Sequence, residues 1–151
     1  MAGEMRISEA AQLAGVSTRT LRYYEELGII TPDSHTPGGE RRYSRDSIIE
    51  LQRIRELKEL LGFNLDEIRD VIAAERRLES LRDQYHLAKS TPSPGSNDER
   101  KAILAEALDL NERLMKAVDA KMASIDAFRE HLDSMASRCR ELLNEFPASA
   151  S

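Results

Sequence analysis

A long heptad pattern in the C-terminal third constrains the fold more than any other part of the sequence. From about residue 98 to residue 144, apolar side chains recur every seven residues in two series. The first series is Leu104, Asn111, Val118, Ile125, Leu132 and Cys139, and the second is Leu108, Met115, Met122, Arg129, Ala136 and Leu143. Ten of these twelve residues are apolar, counting Ala and Cys, and near Arg129 the stripe could shift to Phe128 and Met135. Such a stripe is typical of a coiled-coil helix.

A single helix of this length exposes its apolar stripe unless another helix covers it. The four helices predicted before it are short and have a core of their own. We therefore expect the same helix of a second copy to cover the stripe, giving a two-fold dimer with an antiparallel coiled coil. The alternative is that the helix folds back on its own domain. The residues expected at the dimer contact are Leu104, Leu108, Asn111, Met115, Val118, Met122, Ile125 and Leu132.

Composition excludes several classes of protein. No apolar run approaches the roughly 20 residues that span a bilayer. The N-terminal MAGEMRISEA lacks a hydrophobic signal segment, so we expect a cytoplasmic protein. The single cysteine cannot form an intramolecular disulfide. The formal net charge of -5 argues weakly against nucleic-acid binding, but residues 17–24 and 41–45 carry arginines and no acids.

Two short helices are predicted near the N-terminus. Ser8 is expected to cap the first, residues 8–14, and Gly15 to end it in a left-handed backbone conformation. Ser17 is expected to cap the second helix, which ends at Gly28. Two helices joined by a tight turn that contains glycine are typical of a helix-turn-helix.

Proline and glycine interrupt the helical pattern over residues 31–44. Pro32 and Pro37 forbid a continuous helix here. Gly38 and Gly39, between short flanking segments, predict a hairpin turn. We therefore expect a β-hairpin after the second helix.

Three further helical segments are expected after the hairpin. Ser44 caps the third helix, which ends at Gly62, and its apolar residues keep the three-and-four spacing of a helix. Asn64 with Glu67 forms a capping box that begins the fourth helix. Residues 76–90 are expected to be helical although their periodicity is weaker.

The segment TPSPGSND, residues 91–98, separates these helices from the long final one. Its two prolines and one glycine break the helical pattern. Ser96 and Glu99 are expected to form a capping box at the start of the long helix. The chain as a whole is therefore expected to be mainly α.

The second helix of a helix-turn-helix enters the major groove of DNA. Arg19 and Arg22 are three residues apart, so they share a helix face and can bind guanine or phosphate. Tyr23 and Tyr24 are adjacent and point in different directions, so one packs inward while the other offers its hydroxyl to phosphate. The alternative is an ordinary solvated helix. The candidate DNA-binding residues of this helix are Ser17, Thr18, Arg19, Thr20, Arg22, Tyr23 and Tyr24.

The strand after the hairpin turn carries a second group of basic residues. Arg41, Arg42 and Tyr43 suit a wing that touches phosphates or the minor groove. The alternative is an exposed loop with ordinary basic residues. A helix-turn-helix, a basic wing and a coiled coil in this order support one another as parts of a DNA-binding protein.

The segments RISEAAQLAGVSTRTLRYYEELGIITP and TPGGERRYSRDSIIELQRIRELKELLGFNLDEIRDVI resemble the DNA-binding domain of the MerR family of bacterial transcription regulators. The resemblance is dense from residue 6 to about residue 74, and the long helix shares only the architecture. It implies the recognition-helix role for the serine, threonines, arginines and tyrosines named above. It also implies the wing role for Arg41 and Tyr43, with Arg53 as a further phosphate contact.

The same resemblance implies a mechanism. Members of the family are winged-helix dimers that bend and untwist near-palindromic promoter DNA so that RNA polymerase can use it, which is recognition through shape and deformation. This chain departs from the family at Glu40, where an aromatic residue or His is frequent. A carboxylate facing phosphate would repel it, so we expect Glu40 to turn away or to pair with a nearby arginine.

A sensor site is harder to find. Cys139 has no second cysteine near it, and His35, His86 and His131 lie far apart without ligand spacing, so no metal and no cofactor are expected. Flanking arginines can lower a thiol pKa, so Cys139 is a candidate redox or electrophile sensor. The favoured interpretation of Cys139 is a small apolar residue in the heptad stripe.

Residues 76–98 are longer than a tight connection between two helices requires. With Tyr85 and His86 they could shape an apolar pocket for a small-molecule effector, and the favoured alternative is a packed helix or a mobile linker. No nucleophile elbow, phosphate loop or pair of carboxylates suggests catalysis, so we do not expect an enzyme.

The expected fold is mainly α, a winged helix-turn-helix followed by a dimerisation helix. Its expected parts are a DNA-binding domain at 1–75, a connecting helix or linker at 76–98, a coiled-coil helix at 99–145 and a disordered tail at 146–151. The expected function is a homodimeric regulator of promoter DNA that acts on RNA polymerase indirectly. The alternatives are an effector-free architectural DNA-binding protein and a coiled-coil protein-interaction module.

Overall fold

The computed structural model describes residues 3–149 and is mainly helical. Its elements in chain order are β1 Met5–Arg6, α1 Ile7–Ala14, α2 Thr18–Glu26, β2 Ser34–His35, β3 Arg41–Tyr43, α3 Arg45–Glu59, α4 Leu65–Ser90 and α5 Ser96–Asn144. The chain divides into two compact units, the first ending at Arg82 and the second beginning at Asp83. The ends of the expected DNA-binding domain and tail, residues 1–2 and 150–151, lie outside the described residues.

The helix-turn-helix is formed by α1 and α2, as predicted. Gly15 ends α1 with a φ of 72°, in the left-handed region that favours glycine. The Ser17 hydroxyl accepts a hydrogen bond from the Thr20 backbone N–H at 3.0 Å and so caps α2. The cap predicted for α1 was wrong. The cap residue is Arg6, whose backbone N–H donates to the Glu9 carboxylate at 3.3 Å, and Ser8 lies inside the helix.

The predicted hairpin is present and belongs to a three-stranded antiparallel sheet of order β1-β3-β2. Thr36 closes its turn, because the Thr36 hydroxyl oxygen accepts from the Glu40 N–H at 3.0 Å and the Thr36 carbonyl accepts from the Gly39 N–H at 2.8 Å. Strand β1 was not predicted. It pairs Met5 with Tyr43, so β3 is held between the N-terminal strand and β2.

The core of the first unit lies where α1 packs against α2 and α3. Ser44 caps α3, and Asn64 and Glu67 form the predicted reciprocal box at the start of α4, with N···O distances of 2.8 and 2.9 Å. Helix α4 continues through residues 76–90, so this part of the expected connecting segment 76–98 belongs to one 26-residue helix. The largest fully buried side chains of this unit are Leu21, Ile29, Ile30, Tyr43, Leu51, Ile54, Ile68 and Leu81.

The second unit contains the long helix α5, which has 49 residues. The cap predicted at Ser96 was wrong, because Gly95 occupies that position with a φ of 90° and Ser96 is the first helical residue. Arg100 donates a hydrogen bond to the Tyr85 hydroxyl at 2.9 Å, and this bond lowers the pKa of Tyr85. Among the described residues, no helix is long and apolar enough to cross a membrane.

Candidate nucleic-acid interface

The exposed face of α2 carries the two arginines that the sequence singled out. One shallow depression on this face is lined by Thr18, Arg19, Thr20, Arg22, Tyr23 and Glu26. Arg19 and Arg22 are exposed, and within residues 3–149 neither guanidinium has a hydrogen-bond or ion-pair partner. An arginine without a carboxylate partner keeps all of its N–H donors available for a phosphate or a base edge.

The two adjacent tyrosines occupy different environments. Tyr23 is 48% exposed and lies beside the arginines, whereas Tyr24 is 3% exposed and belongs to the core. Burial raises the pKa of the Tyr24 hydroxyl, and the Glu59 carboxylate raises it further. Tyr24 therefore anchors α2 to the domain, and its inclusion among the DNA-binding candidates is corrected.

Two of the three hydroxyl groups at the start of α2 make hydrogen bonds within the helix, and the third is exposed. Ser17 already caps the helix, and its hydroxyl also shares a 2.8 Å hydrogen bond with Thr20. Thr18 is exposed, and its hydroxyl has no hydrogen-bond partner within the described part of the chain. Among Ser17, Thr18 and Thr20, the Thr18 hydroxyl is therefore the one that makes no hydrogen bond within the described residues.

The wing arginines are held by carboxylates. Arg41 Nε lies 2.6 Å from Glu25 Oε2 of α2, and Arg42 lies 3.2 Å from Glu40. Glu40 also lies 3.5 Å from Arg6, so it pairs with nearby arginines as expected. Arg41 remains exposed, and Arg42 is half-buried.

Tyr43 is a core residue and not a wing contact. It is fully buried, and its hydroxyl has no hydrogen-bond partner among the described residues. A residue without exposed surface cannot meet a phosphate in this conformation. The expectation that Tyr43 contacts DNA is therefore corrected, and the residue belongs to the core of the first unit.

The Arg53 guanidinium forms ion pairs with two carboxylates. Its Nη2 lies 2.8 Å from Glu75 and its Nη1 lies 2.9 Å from Glu56. The hydrogen bonds to Glu75 raise the pKa of the guanidinium above its ordinary value. The pair with Glu75 links α3 to α4, and a phosphate would have to displace the carboxylates. The role of Arg53 as a phosphate contact stays a prediction.

Glu25 is the residue of this region that sequence reasoning missed. The sequence contained an indication of its role, because Glu25 and Glu26 are the only acids in a helix otherwise rich in arginine and tyrosine. Only the fold shows which of the two is buried against Arg41, since the partners are sixteen positions apart and belong to different elements.

The apolar stripe of α5 is exposed in the single chain. The dimer candidates Leu104, Leu108, Met115, Val118, Met122, Ile125 and Leu132 each expose a large part of their side chains. Asn111 turns its amide onto its own helix, donating to the Ala107 carbonyl at 2.9 Å.

Cys139 is exposed near the end of α5. The neighbouring Arg138 pairs with Glu141 at 3.4 Å. Within residues 3–149, no group of three or more His, Cys, Asp and Glu side chains is arranged to hold a metal ion.

A helix-turn-helix with a two-stranded wing and an unpaired basic recognition face defines a winged-helix DNA-binding protein. Residues 5–75 match the family described as MerR HTH family regulatory protein. The chain is 34% identical over 131 residues to the HTH-type transcriptional regulator YfmP of Bacillus subtilis, covering 87% of this chain and 89% of that protein. It belongs to the MerR family and is a DNA-binding transcriptional regulator.

One further relative supports the family, and two solved structures share the fold. The mercuric resistance operon regulatory protein of Bacillus cereus is 35% identical over 113 residues, covering 73% of this chain and 85% of the relative. The fold also resembles PbrR691 of Ralstonia metallidurans CH34, solved with lead(II), at a TM-score of 0.53 and 24% identity over 97% of this chain and 91% of that one. A promoter-bound MerR family regulator, HiNmlR, gives a TM-score of 0.52 at 18% identity, covering 95% of each chain.

Proposed function

We propose that this regulator is a cytoplasmic homodimer that binds a near-palindromic promoter element through residues 1–75 and dimerises through residues 99–145. Each protomer presents its α2 to one half-site, so the two-fold axis of the dimer coincides with the dyad of the DNA. Bending and untwisting of the intervening base pairs then changes how RNA polymerase uses the promoter.

The observation that carries the DNA contact is the unpaired state of Arg19 and Arg22. Both side chains are exposed and have no carboxylate partner within the described residues, although the chain carries more acidic than basic residues, 27 against 22. The two arginines lie beside Thr18 and the exposed Tyr23 on one face of α2. This face offers charge and hydrogen-bond donors to a phosphate backbone and to guanine.

The observation that supports dimerisation is the exposed stripe of α5. A run of large apolar side chains over several helical turns is unfavourable in water and is typical of an interface that another helix covers. A second copy supplies an identical stripe, which matches in length and register by symmetry. An acidic protein with a basic recognition face on each protomer would then contact both half-sites at once.

The DNA assignment is tested by measuring affinity against salt concentration. The operator is first recovered by selecting protein-bound fragments from the genomic DNA of the source organism. Arg19→Ala and Arg22→Ala should each weaken binding, and the slope of log K against log salt should fall by about 0.9 for each phosphate that the variant no longer neutralises. Arg113→Ala, on the exposed surface of α5, is the matched control and should keep the wild-type slope. Unchanged affinity and slope in both α2 variants would refute the recognition-helix assignment.

A further inference from the structure

One carboxylate of α2 lies against the wing. The Glu25 side chain is 9% exposed, and its Oε2 lies 2.6 Å from Arg41 Nε. Its second oxygen, Oε1, is buried and has no hydrogen-bond partner among residues 3–149. Burying a carboxylate is unfavourable unless a cation compensates it, so the position of Glu25 depends on Arg41.

The geometry of this pair leaves the outer part of Arg41 free. Glu25 Oε2 forms an ion pair with Arg41 at Nε, while the two terminal nitrogens of a guanidinium carry four more N–H donors. Arg41 sits in β3 opposite His35 of β2, and its side chain is exposed. The ion pair restrains the Arg41 side chain, which stays 45% exposed. An arginine fixed in this way loses less conformational freedom when it binds a phosphate.

We propose that Glu25 is a positioning residue that orients Arg41 for phosphate contact and couples the wing to the recognition helix. The proposal rests on the DNA-binding function proposed above and extends it to a residue whose own charge repels DNA. The ion pair fixes β3 relative to α2, so that the wing and the recognition helix keep a fixed distance from each other when they bind DNA.

The direction in which Glu25→Gln changes the affinity for DNA distinguishes a positioning role from a purely electrostatic effect. Glu25→Gln removes a negative charge from a DNA-binding surface, so unspecific electrostatics alone predicts tighter binding. Positioning predicts the opposite, a loss of roughly three- to tenfold in affinity, because the ion pair that holds Arg41 is removed. The slope of log K against log salt should also fall by about 0.9 if Arg41 no longer reaches its phosphate.

Glu26→Gln is the matched control. It removes the same charge from the adjacent position of α2, where the carboxylate is exposed and has no ion-pair partner in the described part of the chain. This variant should bind DNA more tightly than the wild type. Arg41→Lys is a second test, because it keeps the positive charge but cannot keep the Nε contact, and it should weaken binding.

The decisive experiment is a double-mutant cycle with Glu25→Gln and Arg41→Ala, measured on the operator at several salt concentrations. Arg41→Ala should weaken binding, and Glu25→Gln should add no further loss in that background. Thermal unfolding of each variant verifies that the protein is folded at the temperature of the assay. If Arg41→Ala weakens binding while Glu25→Gln binds as tightly as the wild type or tighter, the positioning role is refuted. If Arg41→Ala has no effect, the proposal also fails, while the Arg19 and Arg22 variants test the DNA assignment independently.

Discussion

The carboxylate of Asp33 accepts hydrogen bonds from both the backbone N–H and the hydroxyl of Ser44, at 2.7 and 3.0 Å. The Ser47 hydroxyl donates to the same carboxylate, and the Asp33 N–H donates to the Arg42 carbonyl at 2.9 Å. Asp33 therefore joins the segment before β2 to the first turn of α3. A carboxylate at a helix N-terminus is also favoured by the helix dipole.

Asp33→Asn should destabilise the protein by about 1 to 2 kcal/mol, because the amide cannot replace a charged acceptor of three hydrogen bonds. Chemical denaturation at neutral pH measures this loss. The matched control is Asp46→Asn, in the same first turn of α3, where the exposed side chain has no hydrogen-bond partner among the described residues. Equal losses in the two variants would show that the contacts of Asp33 are unimportant.

The effect of Asp33→Asn on the free energy of unfolding should depend on pH. Burial raises the pKa of Asp33, but hydrogen bonds from Ser47 and Ser44 outweigh burial and leave the pKa below its ordinary value. A carboxyl whose pKa is lower in the folded than in the unfolded chain stabilises the fold above its unfolded pKa of about 4. This stabilisation is lost as the pH falls through the folded pKa. The difference in unfolding free energy between wild type and Asp33→Asn should thus shrink below about pH 4, and a constant difference would contradict the role of the charge.

Arg53→Gln should affect stability and not DNA binding. The pairs with Glu75 and Glu56 are partly exposed, so their removal should cost about 1 kcal/mol. Denaturation curves of Arg53→Gln, Glu75→Gln and the double variant should show that the two single effects on stability do not add. The salt slope of operator binding should stay at the wild-type value. A slope reduced by about 0.9 would instead show that Arg53 contacts a phosphate.

Tyr23→Phe and Tyr24→Phe form a pair of variants that differ only in position. The Tyr23 hydroxyl lies on the exposed face of α2, so its removal should weaken operator binding about three- to tenfold, because one hydrogen bond to the DNA is no longer made. Tyr24→Phe should bind with wild-type affinity, because this side chain is buried in the core. The affinities are compared at one fixed salt concentration. A loss of affinity confined to Tyr24→Phe would reverse the assignment of the two tyrosines.

Local signals predicted the order of the elements well. Left-handed glycines and polar caps depend on a few neighbouring residues, so Gly15, Ser17 and the Asn64 box could be located from the sequence. The orientation of the tyrosines was also within reach, because Tyr24 is three residues from both Leu21 and Leu27. It therefore shares their apolar face.

Contacts between distant segments could not be predicted in the same way. Strand β1 has only two residues, too few for an alternating pattern, and it forms because β3 offers an edge. Arg41 pairs with Glu25, 16 positions away, and one of the two partners of Arg53 is Glu75, 22 positions away. A basic residue shows its charge in the sequence but not its distant partner. The sequence therefore predicts a DNA contact for both arginines but not the carboxylates that pair with them.

Val118→Asp or Ile125→Asp should convert the proposed dimer into monomers. Both side chains lie on the exposed stripe of α5, and a carboxylate buried against the same stripe of a second copy would be unpaired. Ala120→Asp, on the outer face of the same helix, is the matched control and should remain dimeric. Sedimentation velocity measures the mass of each variant, and monomers should also lose affinity for the full operator, because two half-sites then bind independently. Intact dimers in both stripe variants would place the dimer contact elsewhere.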